Sequence, residues 1–589
     1  MKNALVAKIL YEVADLLELE GVPFKPRAYR RAARAIEDCP TPIEDLAAEG
    51  RLTEIAGVGE AIAQKVAEIV ATGRLTYHEE LKAKLPVELR ALTQVEGIGP
   101  KTARLLYEEL GIRNLADLEQ AAAEGRIRHV KGLGEKTEQK ILRGLAETRG
   151  AEKRVLLGRA WPLARHLVEQ LMATGLYRRV EPAGSLRRGK ETVGDLDLLA
   201  VSDRPDEAVH AFCSLPDVAE ILAQGPKRSS IRLSDGFQVD LRLVPADAFG
   251  AALQYFTGSK EHNIRLRERA VARGWKLSEY GLTSADGEVL AGADEEGIYR
   301  ALGLAYIPPE LREDRGEIAA AEAGTLPELV DARRVRCDLH VHTDFSDGEA
   351  SLPAMARAAA ERGLRAIAIT DHLRFAQAIP GLSADDLRRQ IEEVRRLNET
   401  GLTLLTGVEA NIARDGTVDV PRDLLKDLDL VIASVHTHLR LGRAEMTDRL
   451  LRAVEDEGVD ILGHPTGRLI GERPPCEANW DEVFRRAAKT GTALEVNAHP
   501  QRLDLGAELI RRAIGFGARL AIGTDAHDVG HFDFLEFGVI TARRGWATAE
   551  HVLNTLSVED PSLPASADGE GAVCTRRAPG GTLGPEVAR

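Results

Sequence analysis

The chain has 589 residues, room for about four domains at roughly 150 residues each. It is 44% hydrophobic and 29% charged, and no apolar run nears the roughly 18 residues of a membrane span, so a cytoplasmic chain without a membrane partner is expected. The formal charge of −15 excludes a nucleic-acid glue along the whole length, and five scattered cysteines with no CxxC pair exclude a disulfide framework or cysteine zinc site.

Residues 1–150 read as helices joined by short glycine turns, and carry 23 Lys+Arg against 24 Asp+Glu, so any polyanion partner is expected here. One turn recurs three times: Gly57-Val58-Gly59, Gly97-Ile98-Gly99 and Gly132-Leu133-Gly134, followed by GEAIAQKV, GPKTARLL and GEKTEQKI. Such a turn ahead of a helix aims backbone N–H groups and the positive helix end at an anion. Phosphate contacts of this kind position a nucleic acid without reading its sequence. A single copy is equally a tight helix connection; three copies, with Lys101, Arg104, Lys131, Lys136 and Lys140 close by, favour DNA.

From 151 to 315 the pattern changes. A helix is predicted over Lys153–Thr174, and alternating strands over Asp195–Val201 and Phe237–Val244. Strand alternation puts Asp195 and Asp197 on one face, and sets Asp240 opposite Phe237, Val239 and Leu241. Three converging carboxylates repel unless a divalent cation, Mg²⁺ or Mn²⁺ for oxygen ligands, sits among them; each alone is a solvated strand residue. The preceding Gly184-Ser185 turn and Arg188 supply a phosphate cradle. Residues 316–335, rich in Ala and Glu, read as a linker, and 557–589 as a disordered tail.

Ten of the fifteen histidines follow residue 331. Seven apolar runs in this part end in polar residues: His340, His342 and Asp347; Asp371 and His372; Glu409; His436; His464; Asn497; Asp525 and His527. Short strands alternating with amphipathic helices predict a parallel α/β architecture, in which all strand ends share one face. Six histidines and three carboxylates gathered there are a multi-metal ligand set suited to Zn²⁺, Mn²⁺ or Fe.

These segments resemble known families. The glycine turns are similar to helix-hairpin-helix motifs. The run GS…RRG…GDLDLL resembles the palm of family X DNA polymerases. Tyr255-Phe256-Thr257-Gly258-Ser259 matches that family's YFTGS, WKLSEYGL at 275–282 its thumb, and Tyr29-Arg30-Arg31-Ala32-Ala33 its small domain gripping a 5′-phosphate. The resemblance implies nucleotide contacts from Gly184, Ser185, Arg188, Tyr255, Phe256, Gly258 and Asn263. It implies DNA contacts from Tyr29, Lys101 and the turn glycines, and matches Lys65 to a Schiff-base lysine, although Phe24 stands where some members have histidine. The histidine-rich part resembles the polymerase and histidinol phosphatase (PHP) domain. That implies a trinuclear site held by His340, His342, Asp347, His372, Glu409, His436, His464, Asp525 and His527, with Glu409 bridging, Asp371 orienting and Arg502 on a substrate phosphate.

The expected architecture is therefore multidomain: α-helical helix-hairpin-helix domains, an α+β nucleotidyltransferase palm and thumb, and a distorted (β/α)7 PHP barrel. The expected divisions are 1–80 (lyase-like domain), 81–150 (fingers-like), 151–250 (palm), 251–315 (thumb), 316–335 (linker), 336–556 (barrel) and 557–589 (tail). The implied function is a monomeric repair polymerase filling short gaps in DNA from dNTPs, with a metal-dependent 3′→5′ exonuclease or 3′-end phosphoesterase. The alternatives are a small-molecule phosphatase with an accessory DNA-binding region, and a non-catalytic DNA-end scaffold.

Overall fold

The computed structural model describes residues 2–19, 22, 25–37, 39, 43–55, 57–84, 92, 95, 98–152, 154–373, 381–398 and 402–555. Gly97, Phe24 and 557–589 lie outside the described residues, and Lys101 is described for its backbone alone. The chain divides at Lys153/Arg154 into two compact units.

The first unit is helical. Apolar residues at intervals of three and four, such as Val6, Leu10, Val13 and Leu17 of helix Lys2–Leu19, turn one stripe into a shared core with Ala33 and Ile36 of helix Lys25–Glu37. The three glycine turns repeat one hydrogen bond: Val58 N–H donates to Ile55 O at 2.9 Å, Ile98 N–H to Val95 O at 3.0 Å and Leu133 N–H to Val130 O at 2.9 Å. Gly57 and Gly132 adopt φ +93°, a left-handed conformation costly for any side-chain-bearing residue. Helices Glu60–Thr72, Pro100–Leu110 and Glu135–Glu152 follow the turns.

Tyr29 departs from expectation. It lies in this helical core, 7% exposed, and burial first, then neighbouring Tyr77, pushes its phenol up to about 12. Its ring is held by packing, whereas Lys25, Arg27 and Arg31 of the same helix are exposed.

The second unit opens with Val155–Leu156, which pairs antiparallel with Thr192–Val193, so the predicted helix begins only at Leu157 and runs to Ala173. Val155 and Leu156 take the extended form because Thr192 and Val193 offer an edge to pair with, a contact invisible in local periodicity. A five-stranded sheet follows, in the order Arg179–Pro182, Leu196–Val201, Gln238–Leu243, Arg228–Leu233, Val218–Gln224. Its two central strands run parallel, with Asp197 in register with Asp240. Next come helices Phe249–Thr257 and Lys260–Val271, a three-stranded antiparallel sheet (Lys276–Ser278, Gly281–Thr283, Val289–Ala291) and helix Glu295–Ala301.

Residues 316–335 are not a free linker. Gly316 starts helix Glu317–Ala323, Ala321, Leu329 and Val330 are buried, and fully buried Glu317 accepts from His262 Nδ1 at 2.7 Å. Composition hid this because the partner of Glu317 lies 55 residues upstream.

The last part is a seven-stranded parallel sheet in sequence order: Cys337–Val341, Ala366–Ile369, Thr403–Asn411, Leu430–Ser434, Ile461–Gly463, Ala493–Asn497, Leu520–Gly523. Its ends meet, Val341 bridging to Ala526 and His342 N–H donating to Ala526 O at 2.8 Å, so the sheet curls into a nearly closed barrel. An apolar plug that includes Cys337, Leu339, Ala368, Leu405, Ile432 and Ala521 fills one region of the barrel.

Barrel and palm share a core. Leu503, Phe537 and Ile540 pack with Leu157, Leu186, Leu198 and Leu241 of the palm. Trp161 Nε1 donates to Glu536 at 2.9 Å, and Arg468 pairs with Glu191 at 2.7 Å. At Gly158 and Gly189 an added Cβ would stand 2.4 Å from Pro500 and 2.2 Å from Ile540, so glycine lets the two surfaces touch.

Candidate active sites

The palm site is built on the two parallel strands. Asp197 and Asp240 sit side by side on neighbouring strands, and Asp195 lies two residues before Asp197, just ahead of the first strand. The Gly184–Arg187 turn lies against this edge. Gly184 has φ +63° and a Cβ there would stand 2.5 Å from Asp197 Oδ2, so only glycine brings the turn this close. Burial, then Asp195, then Asp240 push the Asp197 carboxyl up to about 7, and Asp195 is raised by burial and by Asp240. This is the response of clustered carboxylates whose burial and mutual repulsion outweigh the nearby arginines, Arg228 and Arg242 for Asp197.

Asp240 has partners: Arg228 at 3.1 Å and Gln238 Nε2 at 3.2 Å. The three aspartates are not among the groups whose ligand atoms all approach within 4.8 Å of one another.

Two residues expected at the nucleotide are engaged within the protein. Arg188 pairs with Glu313 at 3.1 Å and donates to Thr257 O, joining palm to thumb. Asn263 donates to Tyr255 O at 2.7 Å and accepts from Gln254 Nε2 at 2.7 Å, which fixes the corner bearing Tyr255 and Phe256. Sequence pattern carries no sign of either engagement, because Glu313 is 125 residues from Arg188 and the Asn263 bonds run to a backbone oxygen and a neighbouring amide. Arg242 stacks 4.2 Å over Phe256, and Gly258, at φ +69°, lies against Arg188. In the helical unit Lys65 lies over the Tyr77 ring at 5.2 Å and donates to Ala61 O at 3.3 Å.

The barrel site gathers all nine predicted residues, which come from six strand ends. Buried Glu409 is its centre: His372 Nδ1 lies 2.9 Å away, His464 Nε2 3.0 Å, His436 Nε2 3.2 Å, His340 Nε2 3.5 Å and His342 Nε2 3.7 Å. Asp525 lies 3.2 Å from His342 and 3.7 Å from His340 and His527. Asp347 reaches His527 at 3.4 Å and His372 at 3.6 Å.

Three overlapping groups of potential ligands result: His342, Asp347, His372 and His527; His340, His342 and Asp525; His372, Glu409 and His436. Burial opposes ionisation, yet His436, His372 and His340 hold the Glu409 carboxyl well below its usual range, and His340 does the same first for Asp525. Burial and the cationic neighbour His372 drive His342 down to about 3.

His340 Nε2, His342 Nε2 and both Glu409 carboxylate oxygens are buried without a hydrogen-bond partner. Buried polar atoms are ordinarily partnered, so converging bare nitrogen and oxygen donors fit divalent cations.

Around these, Asp371 accepts from Thr343 N–H at 2.7 Å and the Thr343 hydroxyl at 2.6 Å, pinning the loop that carries Asp347. Arg502 Nε lies 3.3 Å from Asp525 at the site margin. Sequence reasoning missed Glu495, whose Oε1 lies 2.6 Å from His340 Nδ1 and whose other oxygen accepts from His464 N–H. The signal was a lone acid inside the apolar strand ALEVN. It also missed Asp338, which accepts from Thr524 N–H at 3.0 Å and His340 N–H at 3.2 Å.

Paired strand-borne aspartates beside a glycine turn, fused to a histidine-lined barrel, define the class of polymerases with a second, phosphoesterase-type centre. Residues 1–75 match the helix-hairpin-helix domain family, 89–147 a SAM-like helix-hairpin-helix tandem, 252–313 the DNA polymerase beta thumb and 338–499 the PHP domain. The "DNA polymerase/3'-5' exonuclease PolX" of Bacillus subtilis (strain 168) is 36% identical over 561 residues, 94% of this chain and 98% of that protein. DNA polymerase lambda of Rattus norvegicus is 27% identical over 53% of this chain and 56% of its own length. A probable phosphatase of Syntrophotalea carbinolica (strain DSM 2380 / NBRC 103641 / GraBd1) is 32% identical over 33% of this chain and 81% of its own length. The chain belongs to the family X DNA polymerases that carry a C-terminal PHP domain. Polymerases and PHP domains of these families are metal-dependent, and no described helix is long and apolar enough to cross a membrane.

Proposed function

We propose that this chain is a repair polymerase that fills short gaps in DNA from dNTPs and trims or dephosphorylates 3′ ends with its barrel. The observation that carries this reading is one chain bearing two separate acid-rich centres, the Asp197/Asp240 strand pair and the nine residues around Glu409. In the palm, Asp195, Asp197 and Asp240 would hold Mg²⁺ or Mn²⁺, which would supply charge for activating a primer 3′-hydroxyl and for neutralising pyrophosphate. Gly184 and Ser185 offer backbone and hydroxyl donors to the triphosphate, and Tyr255 and Phe256 form an apolar wall for sugar and base. The helix-hairpin-helix turns grip the DNA backbone.

In the barrel, the three carboxylates and six imidazoles would hold three divalent ions, Zn²⁺, Mn²⁺ or Fe, which would supply Lewis-acid activation of water and phosphate. Glu409, at the centre of the imidazoles, would be shared between ions, His340 is oriented by Glu495, and Arg502 would neutralise the scissile phosphate. Lys65 binds a 5′-phosphate or acts as a lyase nucleophile from its place beside Tyr77. The protein works as a cytoplasmic monomer.

The test is a 5′-labelled primer on a one-nucleotide gap, resolved on a sequencing gel with and without dNTPs. Asp240→Ala should abolish extension and keep shortening, and His342→Ala should do the reverse. Both activities surviving both substitutions would refute the assignment. Turnover of histidinol phosphate in preference to a DNA 3′-phosphate would favour a small-molecule phosphatase.

A further inference from the structure

Between palm and barrel lies a cavity of about 360 Å³, within the size range of pockets that hold small ligands. Lys190 and Thr192 line it from the palm side, Arg315 from the segment after the thumb, and Thr466, Arg468 and Arg544 from the barrel. Counting Glu191 and Glu508 of the wall and Glu313 behind it against Lys190, Arg315, Arg468, Arg544 and the adjoining Arg188 leaves an excess of two positive charges.

Three observations make it more than a gap. Gly506, on the cavity wall, caps the N-terminus of helix Ala507–Gly515, so the free N–H groups and positive end of that nine-residue helix face the space. A Cβ at Gly506 would stand 2.9 Å from Arg468 Nη1 and 3.1 Å from Glu191 Oε1, so glycine admits this ion pair to the helix end. Thr466 is 1% exposed, yet its hydroxyl oxygen has no hydrogen-bond partner. A buried hydroxyl without a partner is uncommon and costly, and a ligand oxygen in the cavity would supply one.

The cations are crowded. Arg544, its side chain 7% exposed, pairs with Glu313 at 3.2 Å, and Lys190 lies 3.7 Å from the same carboxylate. Burial lowers the Lys190 ammonium, Glu313 pulls it back up, and Arg544, Arg188 and Arg315 lower it further. Glu313 is thus shared among several cations, and a second anion would relieve the excess.

We propose that this cavity is a binding site for a small phosphate-bearing dianion, separate from both catalytic centres, that clamps palm to barrel. Lys190, Arg315 and Arg544 provide the charge, the helix N–H groups and the Thr466 hydroxyl the directed donors. The excess of two charges matches one free phosphate dianion, and the flanking Glu191 and Glu508 disfavour a duplex with its continuous run of phosphates. Inorganic phosphate and a nucleoside 5′-monophosphate share the recognised group.

The metal-loaded full chain is titrated calorimetrically with inorganic phosphate, with dAMP and with a short single-stranded oligonucleotide. The same titrations are run on a chain carrying Lys190→Gln and Arg315→Gln, and on Thr466→Val. The wild type should bind one more equivalent of phosphate than the double variant, and Thr466→Val should weaken that component about tenfold, the scale of one lost directed donor. A dAMP isotherm with the same dependence on these residues would identify a mononucleotide as a ligand, and its absence would restrict the site to inorganic phosphate. Should the double variant melt lower without phosphate, Thr466→Val, which leaves every ion pair in place, decides. Isotherms identical in all three proteins would overturn the proposal, as would binding of the oligonucleotide alone. None of these outcomes depends on extension or shortening of a primer.

Discussion

His340 Nδ1 and Glu495 Oε1 lie 2.6 Å apart, both residues essentially inaccessible to solvent. The carboxylate accepts a hydrogen bond from Nδ1–H, fixes the ring's tautomer and leaves Nε2 to face Glu409 and Asp525. Glu495→Gln keeps the shape but removes the charge that orients the ring. Metal retention in the barrel should fall about 10–100-fold. Metal content after dialysis, together with primer shortening and unchanged primer extension, checks this.

The palm should show the opposite sensitivity, to pH. An acid raised to about 7 holds its proton more tightly in the folded chain, so ionising Asp197 costs stability as pH rises from the ordinary value of 3.8 towards 7. Asp197→Asn should therefore raise the melting temperature at about pH 8 in chelator, because the uncompensated charge is gone. The same proton competes with a cation. The Mg²⁺ concentration for half-maximal extension by the unsubstituted chain should fall between about pH 6 and about pH 8. An Mg²⁺ requirement independent of pH would exclude this coupling.

The glycine turns separate fold from contact. Gly59 and Gly99 have ordinary negative φ values, Gly134 is not among the positive-φ residues, and a Cβ at any of the three would meet no atom within 4 Å. Their conversion to alanine together should change stability by no more than about 0.5 kcal/mol per site. Affinity for gapped DNA should drop about tenfold, because the added methyls hold a phosphate away from the turn N–H groups. Thermal melting and fluorescence anisotropy, read side by side, distinguish the two effects.

The thumb is tied to the palm by a buried ion cluster. Glu295 accepts from Arg312 at 2.6 Å and from Arg187 at 2.7 Å. Burial alone would raise its carboxyl, but the two guanidiniums hold it at about 2. Its stabilisation is complete above the usual 4.5 and is lost as pH falls towards about 2. Glu295→Gln strands buried Arg312 and should cost about 3–5 kcal/mol, with part of the acid-induced loss of stability removed. Denaturant melts from neutral to acid pH would measure both.

Much of the barrel site was legible because a parallel barrel turns sequence order into spatial convergence. A histidine or acid at the end of each apolar run could be assigned to one face before any distance was known. Glu495 and Asp338 escaped because they lie within strands, where an acid reads as an interruption of the core until its histidine or threonine partner is known. Arg188, Asn263 and Tyr29 fit their motifs, but a motif does not show whether a side chain is already engaged. Glu313, Tyr255 O and the helical core supply those partners from elsewhere in the chain. The same long-range pairing, Glu317 with His262, turned an apparent spacer into folded structure.

Leu503, Phe537 and Ile540 belong by sequence to the barrel and by packing to the palm. Cutting the chain before the barrel would strip the nucleotidyl-transfer half of part of its own interior, so deletion is a poor way to ask what each half does. A lineage dispensing with the nuclease would have to repave that greasy face with polar side chains first. Loss of a single metal-binding residue is a far shorter route, and it leaves the silent barrel behind as scaffolding.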